Sequence, residues 1–198
     1  MLLPRTTLEG RSVTLEPLSE DLREAVEAAF ATDEEAWSVM VYNGGPTGFA
    51  RWWSRTMRAM RRRESIVFAV RRHSDTSIVG ATGYFGISAE HKRVEIGSTF
   101  YQPDARAGPI NPDCKLLLMD TAFDAGAVRV EFVTDAGNTR SRCALRKLGA
   151  TEEGILRRHK ITWTGRVRDT VIFSITDLEW ASVRTGLEVR LGQWAARA

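Results

Sequence analysis

The 198-residue chain has only two cysteines, Cys114 and Cys143, three histidines and four lysines. Two cysteines cannot build the disulfide framework of a small secreted domain. Both fall in segments that read as helices, beside apolar residues, and are expected to be buried free thiols. His73, His91 and His159 lie too far apart in sequence for the short spacings of metal ligands, so no metal is expected. No Ser-His-Asp or Cys-His arrangement is legible either. No apolar run approaches the roughly 18 residues of a membrane span. Met1 to Gly10 lacks the apolar stretch of a signal peptide. A cytoplasmic setting without a membrane partner is the expectation. The charge imbalance is also small: 28 basic residues against 25 acidic leave a net charge of +3. So small a balance does not by itself argue for nucleic acid.

What is present has the patterning of a mixed α/β fold. Val13 and Leu15 alternate with Ser12, Thr14 and Glu16, which predicts a strand over 11–17. Ser19 is placed to cap a helix through Leu22, Ala25, Val26, Ala29 and Phe30. Asn43-Gly44-Gly45-Pro46 marks a loop before a second helix carrying Trp52, Trp53, Met57 and Met60. Those four side chains read as packing residues. Strands are expected at 65–72, 78–87 and 91–101, joined by short turns as an antiparallel meander. In the last of them Val94, Ile96 and Phe100 are assigned one face and Glu95, Gly97 and Thr99 the other. A helix over 111–125, a strand over 128–134 and a helix over 138–148 closed by Gly149 follow. That alternation signals a parallel pair with crossovers. Strands at 154–162 and 169–176 and a helix from about Leu178 to Leu191 complete the chain. Repeats, low-complexity tracts and linkers are absent, so a single domain over 1–198 is expected.

Two junctions have the composition of an anion site. In the first, Arg106 lies in a small-residue loop that leads to Asn111-Pro112-Asp113. There Asn111 suits a helix cap and Pro112 the first helical position. Free N–H groups and the positive dipole end at a helix start attract anions, and Arg106 can pair with a phosphate. In the second, Asn138 can cap the helix after the fifth strand, with Ser141 one turn on. Taken singly, each junction is as readily an ordinary helix cap.

Several runs stand out along the chain: Val94-Glu-Ile-Gly97, Arg106 to Lys115 (RAGPINPDCK), Arg129-Val-Glu131, Thr134-Asp135, Asn138-Thr-Arg-Ser-Arg142 and Leu148 to Gly154. In order and spacing, these runs together resemble the GNAT superfamily of N-acetyltransferases. With Gly165-Arg-Val-Arg-Asp-Thr170 and Phe173-Ser-Ile175, the chain looks most like the branch of bacterial ribosomal-protein N-terminal acetyltransferases. The resemblance covers about 8–191. It implies an α/β (α+β) fold: a mixed, mostly antiparallel sheet of about seven strands, splayed between strands four and five, with helices on both faces. It implies acetyl-CoA as cosubstrate, lying in that wedge and contacted by Gly97, Ser98, Arg106, Ala107, Gly108, Ile110, Asn111, Asn138 and Arg140. The acceptor amine, a protein N-terminus or a small molecule, would enter from the opposite side.

Two residues depart from the family pattern. Pro109 removes an N–H from the phosphate loop, with Gly108 expected to offset it by allowing an altered turn. Leu145 stands where many relatives carry a tyrosine that protonates the departing thiolate. Ser141 is then the nearest polar candidate for that proton. Glu95 is the favoured general base and Glu131 a weaker one. A backbone N–H near Gly97 or Ser98 is expected to face the developing oxyanion. Two other classes stand beside this reading. A catalytically weak module of the same fold would bind acyl-CoA without turnover. A nucleic-acid binder would use Arg51, Arg55, Arg58, Arg61, Arg62 and Arg63 with Trp52 and Trp53 interleaved, although nucleic acid is not the expected partner. The acceptor, the acyl length and homodimerisation stay open.

Overall fold

The structure, a computed structural model, describes residues 1–196. The expected domain of 1–198 therefore ends two residues beyond the described ones. Eight strands form one sheet: β1 (Leu8–Glu9), β2 (Val13–Pro17), β3 (Ile66–Arg72), β4 (Ile78–Ser88), β5 (Arg93–Tyr101), β6 (Arg129–Asp135), β7 (Thr151–Ile161) and β8 (Val167–Thr176). Their spatial order is β1-β2-β3-β4-β5-β6-β8-β7. Every pairing is antiparallel except β5 with β6. The mixed, mostly antiparallel sheet is as expected, with one strand more than about seven. The extra one, Leu8–Glu9, is too short to leave an alternation pattern.

Five α-helices cover the sheet: α1 (Arg23–Phe30), α2 (Phe49–Arg61), α3 (Ile110–Asp124), α4 (Thr139–Leu148) and α5 (Asp177–Ala195). On one face, Val26, Phe30, Trp37, Phe49, Trp52 and Trp53 pack on Val67, Ala69, Ala81 and Phe100. On the other, residues of α3, α4 and α5 such as Leu118, Met119, Leu145 and Leu187 pack on Phe68, Val94, Ile96, Phe132 and Phe173. Trp52, Trp53 and Met60 are buried as packing residues.

Several local readings are corrected. After Pro17 the chain makes a single 3₁₀ turn, Glu20–Leu22, and the Ser19 side chain caps nothing. A further 3₁₀ segment, Glu35–Val39, buries Trp37. Helix α3 starts at Ile110, so Asn111 and Pro112 lie inside its first turn rather than at its cap and first position. First-turn N–H groups have no intrahelical acceptor, so a proline fits any of these places and does not mark the boundary. Cys114 is buried, but Cys143 is exposed, because α4 turns Leu145 and Leu148 inward and leaves Cys143 outside. Finally, Ile96 and Phe100 lie on opposite faces of the sheet. Between Gly83↔Gly97 and Ala81↔Phe100, β5 carries one residue more than β4, and Ser98 sits there at φ +49°. This bulge reverses the phase of the strand.

Candidate active site

The parallel pair β5 and β6 sets the site. Its register is Arg93↔Arg129, Val94↔Val130 and Glu95↔Glu131, and pairing stops there. Both strands run on, to Tyr101 and to Asp135. The gap-facing N–H and C=O groups of β5 beyond Glu95 thus have no strand partner among the described residues, and such groups demand one. The cleft between the parted strands is lined by Ile96 to Tyr101 and Phe132 to Asp135. Arg106, Ala107, Asn111 and Lys115 line it on the α3 side, with Asn138, Arg140, Ser141 and Leu145 on the α4 side. An extended ligand with amide groups of its own fits such a slot as an added strand fits a sheet edge.

At one end lies the loop before α3. Its left-handed residue is Ala107, at φ +59°, not Gly108. A Cβ on Gly108 would meet nothing within 4 Å, so the turn does not depend on that glycine. Pro109 and Pro112 both lack N–H groups, which leaves Ile110 and Asn111 as the free donors of the first turn. Arg106 lines the cleft but is already engaged. Its Nε donates to the Tyr101 carbonyl at 2.7 Å and its Nη1 to Asp33 Oδ2 at 2.6 Å. Burial would raise the Asp33 carboxyl, but the Arg106 bond, the Ala36 N–H and the Arg140 charge hold it below the usual range.

Asp135 shapes the β6–α4 turn. Its Oδ1 accepts from Gly137 N at 2.8 Å and its carbonyl from Asn138 N at 2.9 Å. Its Oδ2 holds Arg166. Asn138 then caps α4, its Oδ1 accepting from Ser141 N at 3.0 Å. Ser141 and Leu145 follow along the cleft-facing side of the helix.

Glu95 lies one residue before the lining begins. It stands opposite Phe85, which packs on the α1–α2 side of the sheet, so its side chain points to that face. A Cβ at Gly97 would come within 2.7 Å of Glu95 Oε1, which places the carboxylate over Gly97. Burial raises the Glu95 pKa; Lys160 and Arg168 oppose the rise and Glu131 adds to it. Arg93 and Arg129 bind Glu131, at 3.0 and 2.8 Å, and among the described residues Glu95 has no ion pair. The two carboxylates are thereby given different environments, with Glu95 the one suited to take a proton.

The sequence reading missed Lys115, Thr99, Arg168 and the 3₁₀ segment, whose Ala36, Val39 and Met40 also line the cleft. Lys115 is 6% exposed, with its ammonium 3.4 Å from Thr99 Oγ1 and 5.4 Å from the Phe132 ring centre. Burial draws its pKa down to about 8. A sequence signal existed: Lys115 lies four residues after Asn111, on the same helix face. Arg168, in β8, had no such signal. Trp52 and Trp53 are buried in the core, so they cannot stack on bases as the nucleic-acid reading required.

Comparisons with known proteins agree with this fold. A family model described as "Acetyltransferase (GNAT) domain" matches residues 12–151. An uncharacterized N-acetyltransferase, YoaA of Bacillus subtilis (strain 168), is 24% identical over 169 residues, spanning 85% of this chain and 95% of that protein. A GCN5-related N-acetyltransferase from Brucella melitensis superposes with a TM-score of 0.87 at 28% identity, over 95% of this chain and 86% of that one. Mycobacterium smegmatis RimJ, solved in complex with CoA-disulfide, shares the fold, with a TM-score of 0.77 at 21% identity over 93% of this chain and 92% of that one.

Proposed function

The chain belongs to the acetyltransferase (GNAT) domain family and is an acetyl-CoA-dependent acyltransferase; from that premise we propose that it acetylates a primary amine by direct attack in a ternary complex. The favoured acceptor is a protein N-terminal amine, in keeping with the motifs shared with the ribosomal-protein N-terminal acetyltransferases. The observation that carries the reading is the strand pair that parts at Glu95 and Glu131 while both strands continue. The pantetheine arm of acetyl-CoA has amides to pair with the unpartnered edge of β5. Its pyrophosphate goes to the start of α3, with Ala107, Gly108, Ile110 and Asn111 around it and Arg106 shared with Asp33. Asn138 and Arg140 flank the arm from α4, and Lys115 stands beneath it.

Three chemical demands then fall on named groups. An α-amino group, with a reference pKa near 7.7–8.0, is easier to deprotonate at neutral pH than a lysine side chain near 10.4. Glu95, directly or through water, takes the amine proton. The Gly97 and Ser98 N–H groups, re-aimed by the bulge, face the developing oxyanion. Ser141 or water returns a proton to the departing thiolate, because Leu145 has no hydroxyl to give.

Buried Leu145 favours a second reading, a module of the same fold that binds acyl-CoA without turnover. One pair of measurements separates the two. Acetyl-CoA at about 100 times its dissociation constant should stabilise the protein by roughly 2.7 kcal/mol, which raises the Tm of a chain this size by about 5–10 °C. Thiol release should follow when N-terminal peptides or small amines are added. A Tm that millimolar acetyl-CoA leaves unmoved sinks both readings. A Tm shift without thiol release across a broad amine panel leaves only the binding module.

A further inference from the structure

Helix α2 carries four arginines and no acidic residue, in a chain whose net charge is only +3. Three of them, Arg51, Arg55 and Arg58, line one groove, closed on its far side by Ile161 at the end of β7 and by Thr162 and Trp163 of the β7–β8 turn. Among the described residues none of the three pairs with a carboxylate. The Arg55 guanidinium instead lies 4.0 Å over the Tyr42 ring, and Arg55 Nη2 donates to a Tyr42 hydroxyl. Tyr42 and Trp163 are 47% and 46% exposed, so each presents part of an aromatic surface beside the basic row.

The groove opens where the acceptor end of the cleft stops. Ala36, Val39 and Met40 line the cleft, and the next residues, Val41 to Asn43, line the groove. Two bonds fix this segment against the late strands: Trp163 Nε1 to the Trp37 carbonyl at 2.7 Å, and Arg168 Nη1 to the Val39 carbonyl at 3.4 Å. We infer that α2 and the β7–β8 turn form a docking groove for an acidic, extended peptide whose N-terminal amine is the acceptor.

The spacing of the row supports a peptide over a compact anion. At a rise of 1.5 Å per residue, Arg51 and Arg58 are about 10 Å apart along the helix. Three residues of extended chain span about the same length. A single phosphate would use one such arginine, whereas an extended peptide with carboxylates at alternate residues meets the whole row. Tyr42 and Trp163 offer its intervening side chains an apolar surface. Exposed ion pairs are individually weak, so two or three together contribute about tenfold in affinity at low salt, and less as salt rises.

This rests on the N-terminal-amine reading above, and the test keeps the two apart. Acceptor peptides would share their first two residues and carry three Glu, three Gln or three Lys at alternate later positions. Thiol release would be followed at low and at moderate salt for the wild type, for Arg51→Gln/Arg58→Gln and for Arg51→Glu/Arg58→Glu. Melting with and without acetyl-CoA would establish that each variant is folded. The wild type should prefer the Glu peptide over the Gln peptide about tenfold in kcat/KM, through KM, with the preference shrinking at moderate salt. It should fall within twofold in the Gln variant and turn toward the Lys peptide in the Glu variant. Equal use of Glu and Gln peptides by the wild type, or a preference that survives in the Gln variant, overturns the docking groove and leaves the N-terminal reading standing. If no peptide of any charge is acetylated while acetyl-CoA still raises the Tm, the N-terminal reading falls and takes this one with it. An oligonucleotide that inhibits only the wild type, without any Glu preference, assigns the row to nucleic acid and overturns the peptide.

Discussion

A methyl group added at Gly97 would lie 2.7 Å from Glu95 Oε1, closer than van der Waals contact allows. The atom it meets is the far end of a flexible side chain, so the carboxylate swings away and the strand stays as it is. In a strand interior the alanine even favours the folded backbone slightly. Gly97→Ala therefore separates the position of the base from the stability of the fold. With acetyl-CoA saturating, kcat should fall about 10- to 100-fold, as displaced catalytic groups do, with a Tm within a degree or two of wild type. Glu95→Gln should lose more, in the range of about 10² to 10⁴ for a general base. Burial raises the Glu95 pKa, and the base works only when ionised, so wild-type activity should fall with acid at a pH above the ordinary carboxylate range. That limb should vanish from the pH profile of Glu95→Gln. If Glu95→Gln keeps the wild-type rate and profile, Glu95 is not the base. If Gly97→Ala keeps the wild-type kcat, the carboxylate does not act from the place where the contact puts it.

At the scale of elements, the meander and the parallel pair were legible because strand alternation and the strand–helix–strand order reflect burial directly. The bulge in β5 was not. Val94, Ile96 and Phe100 have the spacing of one face, and only the extra residue at Ser98, which has no glycine to betray its φ of +49°, sends Phe100 to the other side. The start of α3 was misplaced for a related reason, since prolines at 109 and 112 are equally tolerated in a first turn. Helix α3 also hides Lys115, whose apolar neighbours Cys114 and Leu116 read as core and whose ammonium goes to the gap with no carboxylate paired to it among the described residues. Its pKa is held down to about 8 in the fold, against about 10.4 in the unfolded chain. Below pH 8 both states carry the proton and the fold bears the full cost of the buried charge. Between pH 8 and about 10.4 the unfolded chain binds more protons, so stability rises with pH, by about 3 kcal/mol across the window. Urea unfolding of wild type and Lys115→Met at pH 7.5 and pH 10 isolates this contribution, since the other titrating groups are common to both. The variant's advantage should be large at pH 7.5 and should shrink at pH 10. An equal difference at the two values means that the ammonium is not buried as described.

The whole molecule has two apolar clusters on opposite faces of one sheet, and β5 serves both, with Ile96 in one and Phe100 in the other. Trp37 stacks on Phe100 with ring centres 4.6 Å apart, and its Nε1 donates to the Phe30 carbonyl at 3.1 Å. The Arg106–Asp33 and Trp163–Trp37 bonds tie the α1–α2 side to the cleft and to the late strands. Neither cluster can loosen without disturbing a strand that the other needs, which is the condition for a single cooperative transition. We therefore propose one folding unit, and fluorescence can test it in a Trp163→Phe/Trp180→Phe/Trp194→Phe background, where the three remaining tryptophans, Trp37, Trp52 and Trp53, all lie in the α1–α2 cluster while the ellipticity reports the whole chain. Tryptophan emission and far-ultraviolet circular dichroism should melt on one curve, and acetyl-CoA should move both by the same amount. Trp37→Phe should lower both midpoints together, by an amount corresponding to about 1–3 kcal/mol. An emission transition that precedes the loss of ellipticity would make the α1–α2 side a separate unit. In that case acetyl-CoA, bound between β5 and β6, should protect only the later transition.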